Sequence, residues 1–275
     1  MQTETAETTA AAEDLGALNA TASLDCGKPI SGVAPLLVSG TIVMLGEMHG
    51  TAEIPAFIGD LACLALAHDH QVLLGLEYPV SEQANLDAYL ASDGGPAAVR
   101  ALLASGHWQA TCPDGRSSQA MFDLLDHARA LRQDDHQIDV FAFDNTAYDE
   151  WNRRDSGMAE NILARAADAP EAIVFTLTGN LHNRLVPGLP WDDSLVPAGV
   201  HVDAQHERVI SLDVRHAGGT AWIQQGAGQC GAVEIPGKPV YQNRYVELGE
   251  GAGNERGSGI FSVGAINAAP PAAVE

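Results

Sequence analysis

Two short motifs contain the residue types that could do chemistry in this chain. The motif GEMH places Glu47 and His49 after the apolar run TIVML, and the motif GNLH places His182 after the run AIVFTLT. An imidazole titrates near neutral pH, so a histidine close to a carboxylate can take a proton from water or act as a metal ligand. The two motifs therefore indicate acid–base chemistry or a metal site.

Two further apolar runs end in a carboxylate. Glu77 ends the run QVLLGLE, and Asp144 follows the run QIDVFAF. A charge at the mouth of a buried strand needs a partner or a function. Taken singly, His49 fits a capping or core histidine, Asp144 a turn cap, and His182 a residue that stabilises a loop. Their shared position after apolar runs favours one functional site.

These runs are the strands of a predicted α/β fold. They cover residues 41–45, 71–77, 137–143 and 172–178, and helical patterns separate them. Strands that alternate with helices pair in parallel, which predicts a mainly parallel central sheet flanked by helices. Ligands bind beyond the carboxyl ends of such strands, so all four ends should meet at one rim.

The chain divides into four segments by composition. Residues 1–22 predict a mobile N-terminal tail, 23–198 the α/β domain with the site, 199–265 a β-rich extension of the same domain and sheet, and 266–275 a mobile C-terminal tail. The extension contains short strand-like runs linked by glycine-rich turns.

Local signals refine the predicted elements. Glycine turns a chain sharply, so we expect Gly46 and Gly179 to turn the backbone after their strands and bring each histidine into the crevice. A serine before a helical pattern is a typical N-cap, which predicts that Ser117 caps the helix that follows it.

Composition excludes several classes of partner. The 275 residues include 36 acidic and 14 Lys or Arg side chains, which gives a formal net charge of -22. This charge argues against binding to nucleic acid or to an anionic membrane. No apolar run reaches the ~20 residues needed to span a bilayer. The first residues lack the pattern of a secretory signal, which predicts a cytoplasmic protein as written, or an exported one if a signal was trimmed. The oligomeric state stays open.

The four cysteines are Cys26, Cys63, Cys112 and Cys230. They form no CxxC pair, which argues against a zinc ribbon or a redox motif. Cys63 lies in an apolar helical pattern and is expected to be a small buried residue. In an exported protein, Cys26 and Cys230 could form a disulfide.

The motifs also resemble a known superfamily. GEMH, LEYP and GNLH, in that order, resemble the superfamily of TIKI/TraB proteins, ChaN-like haem-uptake proteins and erythromycin esterases. FDN, RRDSGMAENI and DGRSSQAM are similar to segments of ChaN-like and erythromycin-esterase-like members, and the resemblance covers about Gly40 to Leu185. Erythromycin esterases have one more residue between the motif Glu and His, which argues against a macrolide substrate. The resemblance implies that the active-site residues are Glu47, His49, Glu77 and His182, with Arg154 as a further member.

The first functional hypothesis is a metal-dependent hydrolase. His49, Glu77 and His182 would bind Zn, Mn, Fe or Co with an open position for water. The metal would lower the pKa of that water, and Glu47 would act as general base. Arg154 would hold an oxyanion or an acidic group of a small-molecule or peptide substrate with an ester or amide bond.

Two alternatives remain at this point. In a metal-free esterase, His49 or His182 activates water directly and a carboxylate orients it; no Gly-x-Ser-x-Gly elbow is present to suggest a serine hydrolase. In a haem-binding protein, as ChaN-like relatives imply, Tyr78 beside Glu77 or His49 would bind the iron.

Overall fold

The computed structural model of the protein describes residues 24–110, 114–145, 150–189, 191–226, 229–240, 244–249 and 257–273. Its centre is one eight-stranded sheet. Four neighbouring strands in the order β3-β2-β4-β1 run parallel. They are β1 (Ile42–Glu47), β2 (Val72–Pro79), β3 (Ile138–Asp144) and β4 (Ile173–Gly179). These are the four predicted strands, so the mainly parallel α/β fold is confirmed.

Helices cover both faces of this sheet. They are α1 (Glu53–Ala67), α2 (Gln83–Leu90), α3 (Pro96–Leu103), α4 (Gln119–Gln133), α5 (Trp151–Asp168) and α6 (Ala198–Asp203). Buried side chains of α1 to α4 join the larger hydrophobic core with one face of the strands. Side chains of α5 and α6 join a smaller core on the other face. Ser118, rather than the expected Ser117, caps α4, and its side chain accepts a hydrogen bond from the backbone N–H of Met121.

The second half of the chain extends the same sheet. β5 (Val209–Gly226) pairs in parallel with β1, and β8 (Gly259–Ile266) pairs in parallel with β5. β6 (Gln229–Pro236) and β7 (Tyr245–Leu248) are antiparallel to their neighbours. The predicted β-rich extension of the sheet is therefore present, but the runs ERVISLDV and TAWIQQ, which suggest two short strands, belong to the single long strand β5.

Residues 268–272, which we name the C-terminal strap, are fixed to the domain although a mobile tail was expected there. Ala268 pairs with Thr51, and the backbone N–H of Ala269 donates to the carbonyl of Gly50 over 2.9 Å. The strap also bonds the start of α4, where Gln119 N donates to Pro270 O over 2.8 Å and Ala272 N donates to Ser117 O over 3.0 Å. The strap thus ties the turn after β1 to the loop before α4.

A disulfide joins Cys26 to Cys63 and fixes the segment before β1 to helix α1. The expectation of a Cys26–Cys230 pair was wrong, and Cys63 is more than a small buried residue. The Cα atoms of Cys26 and Cys63 lie 5.4 Å apart, which is within the range that a disulfide needs. Cys230 is also disulfide-bonded. Among the described helices, none is both long and apolar enough to cross a membrane.

Loss of the Cys26–Cys63 link should destabilise the fold. The two cysteines are 37 residues apart, and a loop of that size corresponds to about 3–4 kcal/mol of unfolding free energy in the chain-entropy account. We expect the double variant Cys26→Ser, Cys63→Ser to unfold at lower denaturant concentration than the wild type, by equilibrium denaturation followed by circular dichroism. An unchanged midpoint under oxidising conditions would contradict the assignment.

Candidate active site

The centre of the site is the carboxylate of Glu77, at the end of β2. The residue is only 4% exposed. Its Oε2 accepts hydrogen bonds from Thr178 Oγ1 and from the backbone N–H of Gly179, both over 2.7 Å. Its Oε1 accepts from Arg116 Nη1 over 3.0 Å and from Arg154 Nη2 over 2.9 Å. Burial alone would raise the pKa of Glu77, but His182, His49 and both arginines hold it well below its usual range.

The two arginines also neutralise the carboxylate that ends β3. Asp144 is fully buried and accepts hydrogen bonds from Arg154 Nε and Nη2, both over 2.8 Å. Arg116 Nη1 is a third donor to Asp144, at 3.3 Å, and Arg116 also pairs with Asp114. Glu77 and Asp144 therefore both have guanidinium partners, which stabilise these buried charges inside the protein.

His49 and Glu47 form the first dyad of the site. Nδ1 of His49 lies 2.8 Å from Oε1 of Glu47, which is 4% exposed. Burial lowers the pKa of His49, but the charge and hydrogen bond of Glu47, with the charge of Glu77, outweigh it and raise this pKa to about 9. Because Glu47 accepts from Nδ1, the free ring nitrogen is Nε2, which points at Glu77 Oε2 from 3.8 Å.

His182 and Asp155 form the second dyad. Nδ1 of His182 lies 2.9 Å from Oδ1 of the fully buried Asp155, and the His182 ring stacks on Trp151 with centroids 4.8 Å apart. Arg154 Nη1 lies 3.3 Å from Nε2 of His182. A guanidinium only donates, so this contact is a hydrogen bond when Nε2 carries no proton, and the ring proton on Nδ1 then donates to Asp155.

The two histidines converge as their strand-end positions predict. Nε2 of His49 and Nε2 of His182 lie 3.8 and 3.9 Å from the two oxygens of the same Glu77 carboxylate. Gly179 forms the floor between them, since a Cβ there would lie 3.1 Å from His49 Nε2 and 3.7 Å from His182 Cδ2. The cavity above, which we name the site cavity, has a volume of about 340 Å³. Its lining residues are Glu47, Met48, His49, Glu77, Asp114, Arg116, Trp151, Arg154, Gly179, Asn180, Leu181 and His182.

A second cavity of about 340 Å³ lies between α1, α4 and the strap. It contains none of the residues at the strand ends. The carboxylates, guanidinium groups and imidazoles at the strand ends line the site cavity instead, which makes it the candidate active site.

The two motif glycines have a different role from the one expected. Neither Gly46 nor Gly179 has a positive φ, and each lies within its strand. A Cβ on Gly46 would lie 2.5 Å from Asn183 Oδ1, so this glycine makes room for a side chain that follows β4. The turn after β1 instead uses Gly50, which has a φ of +77° and whose Cβ would lie 2.0 Å from the Trp222 carbonyl oxygen.

Tyr78 does not reach the site cavity. Its side chain is fully buried, and its ring packs 4.2 Å from the ring of His107 and 5.9 Å from the ring of Trp108. Burial, followed by the charge of Glu47, raises the pKa of its phenol well above the ordinary value. This phenol is a poor candidate for an axial haem ligand, and the charged lining of the site cavity offers no broad apolar face for a porphyrin.

The proposed metal ligands are close together, but the donor set does not fit a divalent ion. Both Glu77 oxygens are engaged by hydrogen-bond donors, and Arg154 places a positive charge at His182 Nε2. A metal between the histidines would have to displace or approach these guanidinium groups. Within the described ranges, no group of three or more His, Cys, Asp or Glu side chains is arranged to hold a metal ion.

Sequence reasoning missed four residues of the site. Arg116 and Asp114 come from the loop before α4, and Trp151 and Asp155 come from the first turns of α5. The strand-end rule finds none of them, because none ends a strand. The available signal was in two motifs. DGRSSQAM contains Asp114 and Arg116, and RRDSGMAENI contains Asp155 next to Arg154.

Comparison with known proteins agrees with this architecture. Similar solved structures include an erythromycin esterase mutant in its open conformation, with 14% identity, a TM-score of 0.57, and coverage of 77% of this chain and 80% of that one. The chain has the erythromycin-esterase-like fold.

Two further structures share this fold. A Bacillus cereus protein has 11% identity and a TM-score of 0.63 over 96% of this chain and 99% of that one. A succinoglycan biosynthesis protein has 9% identity and a TM-score of 0.61 over 85% of this chain and 82% of that one. No family model and no curated protein matches the sequence. At these identities the likeness shows the fold alone.

The floor of the site cavity can be tested without altering a charged residue. The variant Gly179→Ala adds a methyl group 3.1 Å from His49 Nε2, in a backbone conformation that alanine adopts without strain. We expect it to keep the wild-type thermal midpoint within a few degrees and to reduce any turnover at this site by about tenfold or more, since small misplacements in a site are costly. Full activity would show that the space over Gly179 is not used.

The strap should matter for activity because it fixes two loops of the site. A chain that ends at Asn267 loses the bonds from Ala269 to Gly50 and from Ala272 to Ser117. We expect this truncated protein to retain its circular dichroism spectrum but to lose most of its turnover. A chain that ends at Ala273 is the matched control, and equal activity of the two would contradict a positioning role.

Proposed function

We propose that the protein is a hydrolase of an ester or amide bond in which the His49–Glu47 dyad activates water without a metal. The observation that carries this proposal is the arrangement of His49. One ring nitrogen is held by Glu47, and the other faces a cavity over Gly179 that is walled by His182. This is the geometry of an oriented general base.

The reaction follows from the side chains around that space. Water over Gly179 gives a proton to Nε2 of neutral His49 and attacks the scissile carbonyl. The negative charge on the carbonyl oxygen is stabilised by Arg154 Nη1, whose contact with His182 is long at 3.3 Å and can be exchanged for the oxyanion. Protonated His49 then returns the proton to the leaving oxygen or nitrogen, which yields the carboxylic acid and the alcohol or amine.

The remaining groups position these participants. Glu77 fixes both arginines and faces both histidines, and Asp155 holds the tautomer of His182. Trp151 covers one face of His182 and keeps water from that side. The erythromycin esterase of the same fold acts on an ester, as its name states, and this supports ester chemistry for the present site.

The pH dependence of hydrolysis tests the proposal. His49 must be neutral to accept a proton, and its pKa is raised to about 9, so kcat/KM should rise with pH up to about pH 9. Removing the charge of Glu47 lowers that pKa, so the variant Glu47→Gln should move the rise to lower pH. The measurement is kcat/KM between pH 6 and 10 on a panel of 4-nitrophenyl esters.

Two controls complete this experiment. The variant His49→Ala should reduce kcat by about 10²–10⁴-fold, the usual contribution of a general base. Dialysis against a chelator, followed by addition of Zn, Mn, Fe or Co, should leave wild-type turnover unchanged. Loss of turnover on chelation, with recovery by one metal, would replace this mechanism with the metal-dependent one. Unchanged turnover in the variant His49→Ala would refute both mechanisms.

A further inference from the structure

An exposed tryptophan stands beside the site cavity. Trp191 is 62% exposed, and its ring meets the Trp151 ring edge-on with centroids 6.5 Å apart. Trp151 in turn lines the site cavity and stacks on His182. A continuous aromatic path therefore runs from a residue of the reacting centre to the surface.

The turn that carries Trp191 is held in place on both sides. Asn152 Nδ2 donates to Ser194 O over 3.2 Å, and Val196 N donates to Asn152 Oδ1 over 2.8 Å. Leu189, at 3% exposure, anchors the start of the turn. The large exposed ring is thus not explained by a loose loop, and exposed aromatic surface next to a cavity is typical of ligand contact.

The charges of the site cavity restrict which ligand can be bound there. Arg116 donates from Nε and Nη2 to Asp114, and from Nη1 to Glu77 and Asp144. Arg154 donates from Nε to Asp144 and from Nη2 to Glu77 and Asp144, so only its Nη1 is directed toward the cavity. Neither guanidinium can offer the two-pronged contact that a carboxylate or phosphate group prefers. The net charge of the chain, -22, also disfavours an anionic ligand.

From these observations we infer that Trp191 is a specificity-determining residue, and that the substrate is a non-anionic ester or amide whose apolar ring or branched group stacks on it. The hydrolysis of this substrate rests on the proposed function, whereas the binding of its apolar group to Trp191 does not. The reacting carbonyl lies over Gly179, and the apolar group follows the edge of Trp151 outward to Trp191. Contact with one aromatic ring contributes about 0.5–1.5 kcal/mol beyond its area.

The kinetic test uses three ethyl esters, followed by titration of the acid released: the cyclohexanecarboxylate, the acetate and the anionic hemisuccinate. The wild type should favour the cyclohexanecarboxylate over the hemisuccinate by about tenfold or more in kcat/KM. The variant Trp191→Ala should lower kcat/KM for the cyclohexanecarboxylate by about fivefold, through KM, and leave the acetate unchanged. The variant Trp191→Phe should recover most of the loss.

The matched control is Leu248→Ala, at a 37% exposed apolar residue on β7, the opposite edge of the sheet from β3. It should change none of the three rates. An equal loss on the acetate and the cyclohexanecarboxylate in Trp191→Ala, or equal turnover of the hemisuccinate by the wild type, would overturn the inference.

A binding measurement separates this inference from the proposed function. Cyclohexyl methyl ketone cannot be hydrolysed, and isothermal titration should show that it binds the wild type more tightly than acetone and loses that advantage in Trp191→Ala. If no ester is turned over but the ketone behaves in this way, the proposed function fails and the binding surface stands. If the ketone binds both proteins equally, the binding surface fails whatever the esters show.

Discussion

The site depends on keeping the Glu77 carboxylate charged inside the protein. A buried carboxylate is costly unless charged and hydrogen-bonded partners surround it. Glu77 obtains them from five places in the chain: β4, the loop before α4, helix α5, the turn after β1 that carries His49, and the turn after β4 that carries His182. Satisfying this one group therefore brings distant segments to a single rim. Asp144 reinforces the same arrangement, because Arg116 and Arg154 bridge it to Glu77 and fix the spacing of β2 and β3.

In each of the two central strands β1 and β4, a glycine leaves space for a side chain that follows the other strand. β1 and β4 are parallel neighbours in a register that sets Glu47 opposite Gly179. Gly179 on β4 makes room for His49, which follows β1, and Gly46 on β1 makes room for Asn183, which follows β4. Asn183 is fully buried and donates to the Leu212 carbonyl on β5, so this packing also fixes the next strand. The similarity of GEMH and GNLH thus reflects close packing across a strand pair rather than two identical turns.

The sequence predicted the parts of this structure that depend on local pattern. Apolar runs identified β1 to β4, and the polar residues after them placed His49, Glu77 and His182 at one rim. What failed were contacts between segments with no local signature. Arg116 lies in a polar loop whose position depends on the Glu77 carboxylate, and Cys63 gives no indication in sequence that Cys26 is its partner. The sequence predicted a mobile tail at the strap because its Ala and Pro residues show no helical or strand periodicity. The strap is fixed instead by backbone hydrogen bonds to Gly50 and Ser117.

The charge balance of the site explains why His49 can be both a structural cation and a base. In the resting protein its positive charge offsets Glu47 and faces Glu77, while the two guanidinium groups offset Glu77 and Asp144. A base with a raised pKa is rarely neutral near pH 7, but it draws a proton from water more strongly when it is neutral. The transition state restores the imidazolium that the surrounding carboxylates already stabilise, and the opposite charge forms beside Arg154. The groups that keep the resting site ordered are therefore the groups that stabilise the separated charges of the reaction, with little rearrangement needed.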